Sequence, residues 1–224
     1  MLFVIFIFAF GFGTLSYLQS QGIPLKQAYD EDSILVVQNT TAGTVPHELM
    51  IKNNGIEPVD VERGDLLTSE NSQDLVVAED GRIPSNSTKI IKAYCFEPSQ
   101  RAEVGSELTP SNKTSDQIKQ VIEDSDPYNL QNAIKTQSKI WVIVSGGNVD
   151  PYSGEALALV EKQGISFSQL QQNISEAKLE VMGQFNINSE EIKSLAQNQT
   201  ENTSQQIQSW IEDIIKWIRE SLGI

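Results

Sequence analysis

The sequence predicts an α+β protein with an N-terminal transmembrane helix, an Ig-like antiparallel β-sandwich and a helical C-terminal part packed on the sandwich. Three observations predict this fold class. An apolar run opens the chain, short runs of alternating hydrophobicity begin at residue 33, and after residue 98 the hydrophobic period changes from two residues to about 3.6. The predicted parts are a membrane segment at 1–20, a polar tether at 21–32, a sandwich at 33–98 and helices at 99–224.

The N-terminal segment, residues 2–18, reads LFVIFIFAFGFGTLSYL and contains no charged side chain. Its 17 residues are close to the shortest length that spans the hydrocarbon core of a bilayer. The segment also fits the apolar region of a signal peptide, but no clean small-x-small cleavage site follows it, since Ser16-Tyr17-Leu18 and Ser20-Gln21-Gly22 are poor candidates. We therefore expect an uncleaved signal-anchor, which predicts a single-pass protein of the cell membrane with its domain outside the cytoplasm.

Sequons for N-glycosylation support export of the domain. Asn-x-Ser/Thr occurs six times, whereas chance predicts about two occurrences in a chain of this composition. Asn173 lies in a predicted helix and is the weakest acceptor. The candidate glycosylation sites are Asn39, Asn86, Asn112, Asn198 and Asn202.

Five short β-type runs are predicted between residues 33 and 98, separated by turn signals such as Asn54-Gly55. Runs at this spacing are typical of an antiparallel sandwich. The turn at Asn54-Gly55 predicts a hairpin in which Leu49 and Ile51 face Val59 and Val61. The predicted runs are 34–38, 48–52, 59–61, 74–78 and 89–96.

Amphipathic helices are predicted after Pro98. Their bounds are 116–124, 128–144, 154–162, 168–185, 189–196 and 205–222. The last helix has an apolar face that packs either on its own domain or on a partner subunit, because its polar face is not basic, as that of a membrane-surface helix would be. The candidate interface residues on that face are Trp210, Ile214, Trp217 and Ile218.

Composition excludes several classes of function. The net charge of −14 argues against nucleic-acid binding, which requires a basic surface. One Cys and one His exclude an internal disulfide framework and make a zinc site improbable, so no metal or cofactor is predicted. His47 precedes a predicted strand and is interpreted as a surface histidine. Because no catalytic motif is visible, we expect a protein without turnover.

Two residues have unusual positions in the predicted core. Cys95 shares a strand face with Ile91 and Ala93, and Gln137 lies on the apolar stripe of its helix. If the thiolate of Cys95 adds to the Gln137 carboxamide with loss of ammonia, an internal thioester forms. The structural alternatives are a small buried thiol and a glutamine that binds backbone groups.

The surroundings of these two residues resemble a known family. Tyr94-Cys95-Phe96-Glu97 resembles the cysteine motif of the thioester domains of Gram-positive surface adhesins, and residues 136–141, TQSKIW, resemble their T-Q-x-A-[IV]-W motif. The resemblance covers about residues 90–145. It implies that Cys95 and Gln137 form a thioester surrounded by Tyr94, Phe96 and Trp141, and that the thioester captures a nucleophile covalently.

The sequence therefore predicts a membrane-anchored, extracytoplasmic binding or structural protein with a protein partner or a surface ligand. In its most specific form this is an adhesion module that uses the Cys95–Gln137 thioester. The alternative is an accessory single-pass subunit of a membrane or surface assembly, and a pilin-like filament subunit is the third interpretation.

Overall fold

The computed structural model describes residues 22–197, which form an α+β fold of two sheets and six helices within that range. The strands are β1 (Ile23–Pro24), β2 (Ile34–Gln38), β3 (His47–Asn53), β4 (Val59–Val61), β5 (Asp65–Thr68), β6 (Leu75–Val77), β7 (Gly81–Ile83), β8 (Ser87–Cys95) and β9 (Thr109–Lys113). The helices are α1 (Leu25–Asp30), α2 (Asp116–Glu123), α3 (Leu130–Val144), α4 (Gly154–Gln163), α5 (Phe167–Phe185) and α6 (189–197, where the described part ends).

The larger sheet has six antiparallel strands in the order β2-β3-β8-β6-β5-β9. Its two edges are tied by one segment of chain. Residues 106–108 bond to β2, where Gln38 N–H donates to Ser106 O at 2.9 Å and Leu108 N–H donates to Val36 O at 3.0 Å. The same segment continues into β9, which pairs with β5 at the other edge. Because both edges meet this segment, the sheet curls into a half-barrel.

The smaller sheet has three strands in the order β1-β4-β7, with β1 parallel to β4. The predicted Ig-like sandwich is therefore wrong, and so is the predicted hairpin, because β3 pairs with β2 and β8 while β4 lies in the other sheet. Asn53 explains the change of sheet. Its amide donates to Glu57 O at 2.8 Å and to Ile83 O at 3.2 Å, which holds the chain away from β3.

The core lies between one face of the larger sheet and the helices. Alternation along β3 and β8 buries Leu49, Ile51, Ile91 and Ala93 on this face. The α3 helix packs over β8 and against α5, and its buried stripe includes Trp141. Burial of this stripe fixes the end of α3 beside the chain that leaves β8, which is where the candidate site lies.

The N-terminal predictions have different outcomes. Residues 23–30, part of the predicted tether, form β1 and α1 and bury Leu25 and Ala28 in the core. The predicted membrane segment, residues 2–18, lies outside the described residues, as does the apolar face that carries Trp210, Ile214, Trp217 and Ile218. Within residues 22–197, every helix is too short or too polar to cross a bilayer.

Candidate functional site

The side chain of Gln137 lies against the backbone of Cys95, and both residues are fully buried. Gln137 Oε1 accepts a hydrogen bond from the Cys95 N–H at 2.9 Å, and Gln137 Nε2 donates to Cys95 O at 2.7 Å. This pair of hydrogen bonds, the Gln137 clamp, joins α3 to the last residue of β8. The carboxamide that the sequence interpretation assigns to a thioester is thus engaged with backbone groups.

The Cys95 thiol is in a poor environment for a nucleophile. Burial raises the pKa of Cys95 well above its ordinary value, and the negative charge of Glu155 raises it further, whereas the indole N–H of Trp141 acts in the opposite direction. The thiol donates to Glu97 O at 3.0 Å. Because the thiolate is the reactive form, this environment disfavours nucleophilic attack by Cys95.

The other residues predicted around the thioester have separate positions. Tyr94 is fully buried, and its hydroxyl donates to Ser125 Oγ at 3.4 Å. Trp141 is fully buried in the core. Phe96 is only partly buried and lines a cleft on the surface.

This cleft has a volume of about 470 Å³ and lies between the chain that leaves β8 and the start of α4. We call it the acidic cleft, because three of its lining residues are carboxylates and none of the ten described residues that line it is Lys, Arg or His. One wall consists of Asp74 and residues 96–99. The other consists of Val144, Ser145, Asn148, Asp150 and Ser153.

The carboxylates of the acidic cleft, Asp74, Glu97 and Asp150, have different environments. Burial raises the pKa of Asp74. The Ser69 N–H, which donates to Asp74 Oδ1 at 3.1 Å, lowers this pKa, and the negative charge of Glu97 raises it. The pKa of Asp150 is lowered by the Tyr152 N–H, which donates to Oδ1 at 3.0 Å, and by the Ser153 hydroxyl. A concave surface with charge of one sign concentrates its field, so the cleft attracts cations.

A buried pair, His47 and Glu155, lies behind the cleft. His47 Nε2 is 3.0 Å from Glu155 Oε1, and neither side chain is exposed to solvent. Glu155 Oε1 also accepts from the Gly43 N–H, and Oε2 accepts from the Ala102 N–H at 3.2 Å. One carboxylate therefore joins α4 to β3 and to two loops.

The prediction that His47 lies at the surface is wrong. His47 begins β3, which has β2 and β8 as neighbours, and it is directly opposite Ala93. Sequence reasoning also did not identify Asp74 or Glu97 as residues of a cleft. Alternation from His47 through Leu49 to Ile51 was a signal for burial of the histidine. The carboxylates gave no such signal, because they come from separate segments.

The described residues include no group of His, Cys, Asp and Glu arranged to hold a metal ion. Among the candidate glycosylation sites, Asn39, Asn86 and Asn112 are exposed, and their modification stays a prediction. Asn198 and Asn202 lie outside the described residues.

Comparison with known proteins identifies a family. The family model of ARPP-1, the "ARG and Rhodanese-Phosphatase-superfamily-associated Protein domain", matches residues 2–182. No curated protein and no solved structure matches the chain. The match includes residues 90–145, so the assignment to the thioester adhesin domains is wrong, and the predicted adhesion function fails with it. The predicted membrane anchor, its location outside the cytoplasm and the membrane-subunit and pilin-like alternatives find no support in this family match, which includes residues 2–18. The chain belongs to the ARPP-1 family.

Proposed function

We propose that the chain is a binding domain that holds a small organic cation in the acidic cleft, without turnover. The observation that carries this proposal is the composition of the cleft, which combines three carboxylates with an apolar surface and has no basic residue among its described lining. Ligand sites are commonly concave and mostly apolar, with a few polar groups that fix orientation.

The chemistry of the lining favours one class of ligand. A cationic head group such as a guanidinium or an ammonium would lie among Asp74, Glu97 and Asp150, where carboxylates accept charge-assisted hydrogen bonds. Its apolar stem would contact Phe96 and Val144, and the ring of Phe96 offers a cation–π surface. An anionic ligand would meet repulsion from every charged group in the described lining.

The absence of turnover is part of the proposal. Cys95 and His47 are the only Cys and the only His of the chain, both are fully buried, and neither lines the acidic cleft. The usual thiol and imidazole groups of catalysis are thus placed away from a ligand in the cleft.

The test compares two ligands of nearly the same shape that differ in charge, n-butylguanidinium and n-butylurea. Binding is measured by calorimetry and mapped by amide chemical shifts in the full chain. We expect only the guanidinium to bind, with shifts concentrated in residues 96–99 and 144–153. Equal binding of the two compounds, or shifts confined to another surface, would refute the proposal.

Variants locate the charges that matter. In D74N/E97Q/D150N we expect the affinity for n-butylguanidinium to fall at least tenfold, which corresponds to about 1.4 kcal/mol. Neutralising three exposed glutamates outside the cleft, as in E57Q/E103Q/E176Q, should leave the affinity unchanged. If the two variants weaken binding equally, the effect comes from net charge and not from the cleft.

A second candidate function is that of a partner domain for a protein of the rhodanese-phosphatase superfamily. The family description, which names an association with that superfamily, favours it. The two candidates are compatible, because a lysine or arginine side chain of the partner would supply the cation. The test is light scattering of the chain mixed with a purified protein of that superfamily. We expect one species with the summed mass, and two unchanged masses at micromolar concentration would count against this function.

A further inference from the structure

Backbone contacts at the start of α4 hold the two walls of the acidic cleft together. The Glu155 N–H donates to Pro98 O at 2.8 Å, and Arg101 Nε donates to Gly154 O at 3.2 Å. Pro98 belongs to one wall, and Gly154 and Glu155 directly follow Ser153 of the other. The separation of the walls therefore depends on where the first turn of α4 lies.

The side chain of Glu155 anchors this turn to the sheet. Its carboxylate accepts hydrogen bonds from the backbone of Gly43 and Ala102 and contacts His47, all in the interior. His47 is in turn held by Thr40, whose Oγ1 lies 3.0 Å from Nδ1, and by Gln73, whose amide lies 2.8 Å from Nε2.

This anchor reaches both walls of the cleft. Glu155 follows Ser153 of one wall, whereas Gln73 precedes Asp74 and Ala102 follows residues 96–99, which all belong to the other wall. We propose that Glu155, acting through His47, is a positioning residue that sets the width of the acidic cleft. The inference rests on the proposed function for its effect on binding, but the width itself is measurable without a ligand.

Gly154 provides a variant that acts at the same place. A Cβ at Gly154 would lie 2.2 Å from Pro98 O and 2.5 Å from Ser99 O, so an alanine forces α4 away from the opposite wall. The matched control is Gly164 at the other end of α4. Both glycines have positive φ, +52° and +65°, but a Cβ at Gly164 would meet no atom within 4 Å. Both alanine variants lose stability because alanine disfavours the left-handed backbone conformation, but only G154A pushes the walls of the cleft apart.

The experiment measures the distance between spin labels on the two walls by pulsed electron resonance. Cysteines are introduced at Ser99 and Asn148, which are exposed and belong to different walls of the cleft. Cys95 is buried and stays unlabelled, which is checked on the chain without introduced cysteines. The labelled background is compared with its G154A, E155Q and G164A variants, and melting temperatures are recorded for each.

We expect G164A to keep the distance of the background while its melting temperature falls. In G154A the distance should increase by about 1 Å or more, because ordinary contact between carbon and oxygen begins near 3.4 Å. In E155Q the distribution of distances between the spin labels should shift or broaden. The reason is that the Nε2 of an amide cannot accept a hydrogen bond, so that the N–H of Gly43 or of Ala102 loses its acceptor. Unchanged distances in E155Q, at a loss of stability like that of G164A, would overturn the proposal even if the distance increases in G154A. If E155Q does not fold, His47→Asn takes its place, because it removes the contact of Nε2 with Glu155 Oε1.

Binding separates this inference from the proposed function. If the distances change in E155Q, and the affinity for n-butylguanidinium falls in G154A more than in G164A, the positioning role and the proposed function both stand. If the distances change in E155Q but the unmodified chain binds no n-butylguanidinium, the positioning role stands and the proposed function fails. If the unmodified chain binds n-butylguanidinium and the distances in E155Q are unchanged, the proposed function stands and the positioning role fails.

Discussion

Gln137 illustrates at the scale of a single residue how a polar side chain is accommodated in this core. Its carboxamide makes one accepted and one donated hydrogen bond, and both end on the backbone of Cys95. A buried backbone N–H or C=O that loses its partner costs about 1–3 kcal/mol. The Gln137 clamp therefore stabilises the junction of α3 and β8 whatever side chain occupies position 95.

This leads to a prediction for stability. We expect Gln137→Leu to lower the free energy of unfolding by about 2–4 kcal/mol, because it orphans two backbone groups. Cys95→Ala should cost less, about 1–2 kcal/mol, since both hydrogen bonds remain and only a small buried group is lost. Urea unfolding measures both values. The exposed Gln172→Leu is the control, and a larger loss in Cys95→Ala than in Gln137→Leu would contradict the role of the clamp.

Asp74 gives a prediction for pH dependence. Its pKa is raised by burial, so the folded chain binds this proton more tightly than the unfolded chain. The free energy of unfolding therefore falls as pH rises from the ordinary aspartate pKa through the raised folded value, and then levels off. We expect Asp74→Asn to remove this fall, so that the variant gains stability relative to the wild type as pH increases from acid to neutral.

The control for Asp74 is another carboxylate of the same cleft. The pKa of Asp150 is lowered by the Tyr152 N–H and the Ser153 hydroxyl, so its contribution is present at neutral pH and lost as pH falls. Asp150→Asn should therefore lose stability relative to the wild type between acid and neutral pH. If unfolding curves across that range show the same sign for both variants, the opposite environments assigned to the two carboxylates are wrong.

The start of α5 shows at the scale of elements how a local signal defines a helix. Ser166 Oγ accepts from the Gln169 N–H at 3.1 Å, and Gln169 Oε1 accepts from the Ser166 N–H at 2.8 Å, which is a capping box. We expect Ser166→Ala to lower the free energy of unfolding by about 1 kcal/mol. Ser175→Ala, in the exposed middle of the same helix, should change it by less than about 0.5 kcal/mol. Equal losses in chemical unfolding would show that the cap contributes nothing.

Elements with such local signals are the ones that the sequence predicts well. The strand predicted at 34–38 is β2, and the helices predicted at 116–124 and 154–162 match α2 and α4 within one residue. The pairing of strands is not local. The predicted hairpin is wrong because β3 pairs with β8, about 40 residues further along the chain. The acidic cleft could not be predicted from the sequence for the same reason, because Asp74, Glu97 and Asp150 come together only in the folded chain.

Charge is the property that matters at the scale of the whole molecule. The chain has a net charge of −14, and most ion pairs in the described part, such as Lys26–Asp30 and Lys193–Glu190, are largely exposed. Exposed pairs contribute little to stability, whereas a large net charge destabilises the compact state by self-repulsion. Three of these negatively charged residues line the acidic cleft.

We therefore expect salt to stabilise the chain. Raising NaCl from about 0.01 M to about 0.15 M shortens the screening length from about 30 Å to about 8 Å, and the melting temperature should rise by a few degrees. The cleft contributes more than its share of this repulsion, because the charge of Glu97 acts on Asp74 and both side chains are partly buried. At low salt D74N/E97Q/D150N should thus gain more than E57Q/E103Q/E176Q, which removes the same number of exposed charges elsewhere. Equal gains would show that repulsion is spread evenly over the surface, and a melting temperature that falls with salt would show that ion pairs outweigh it.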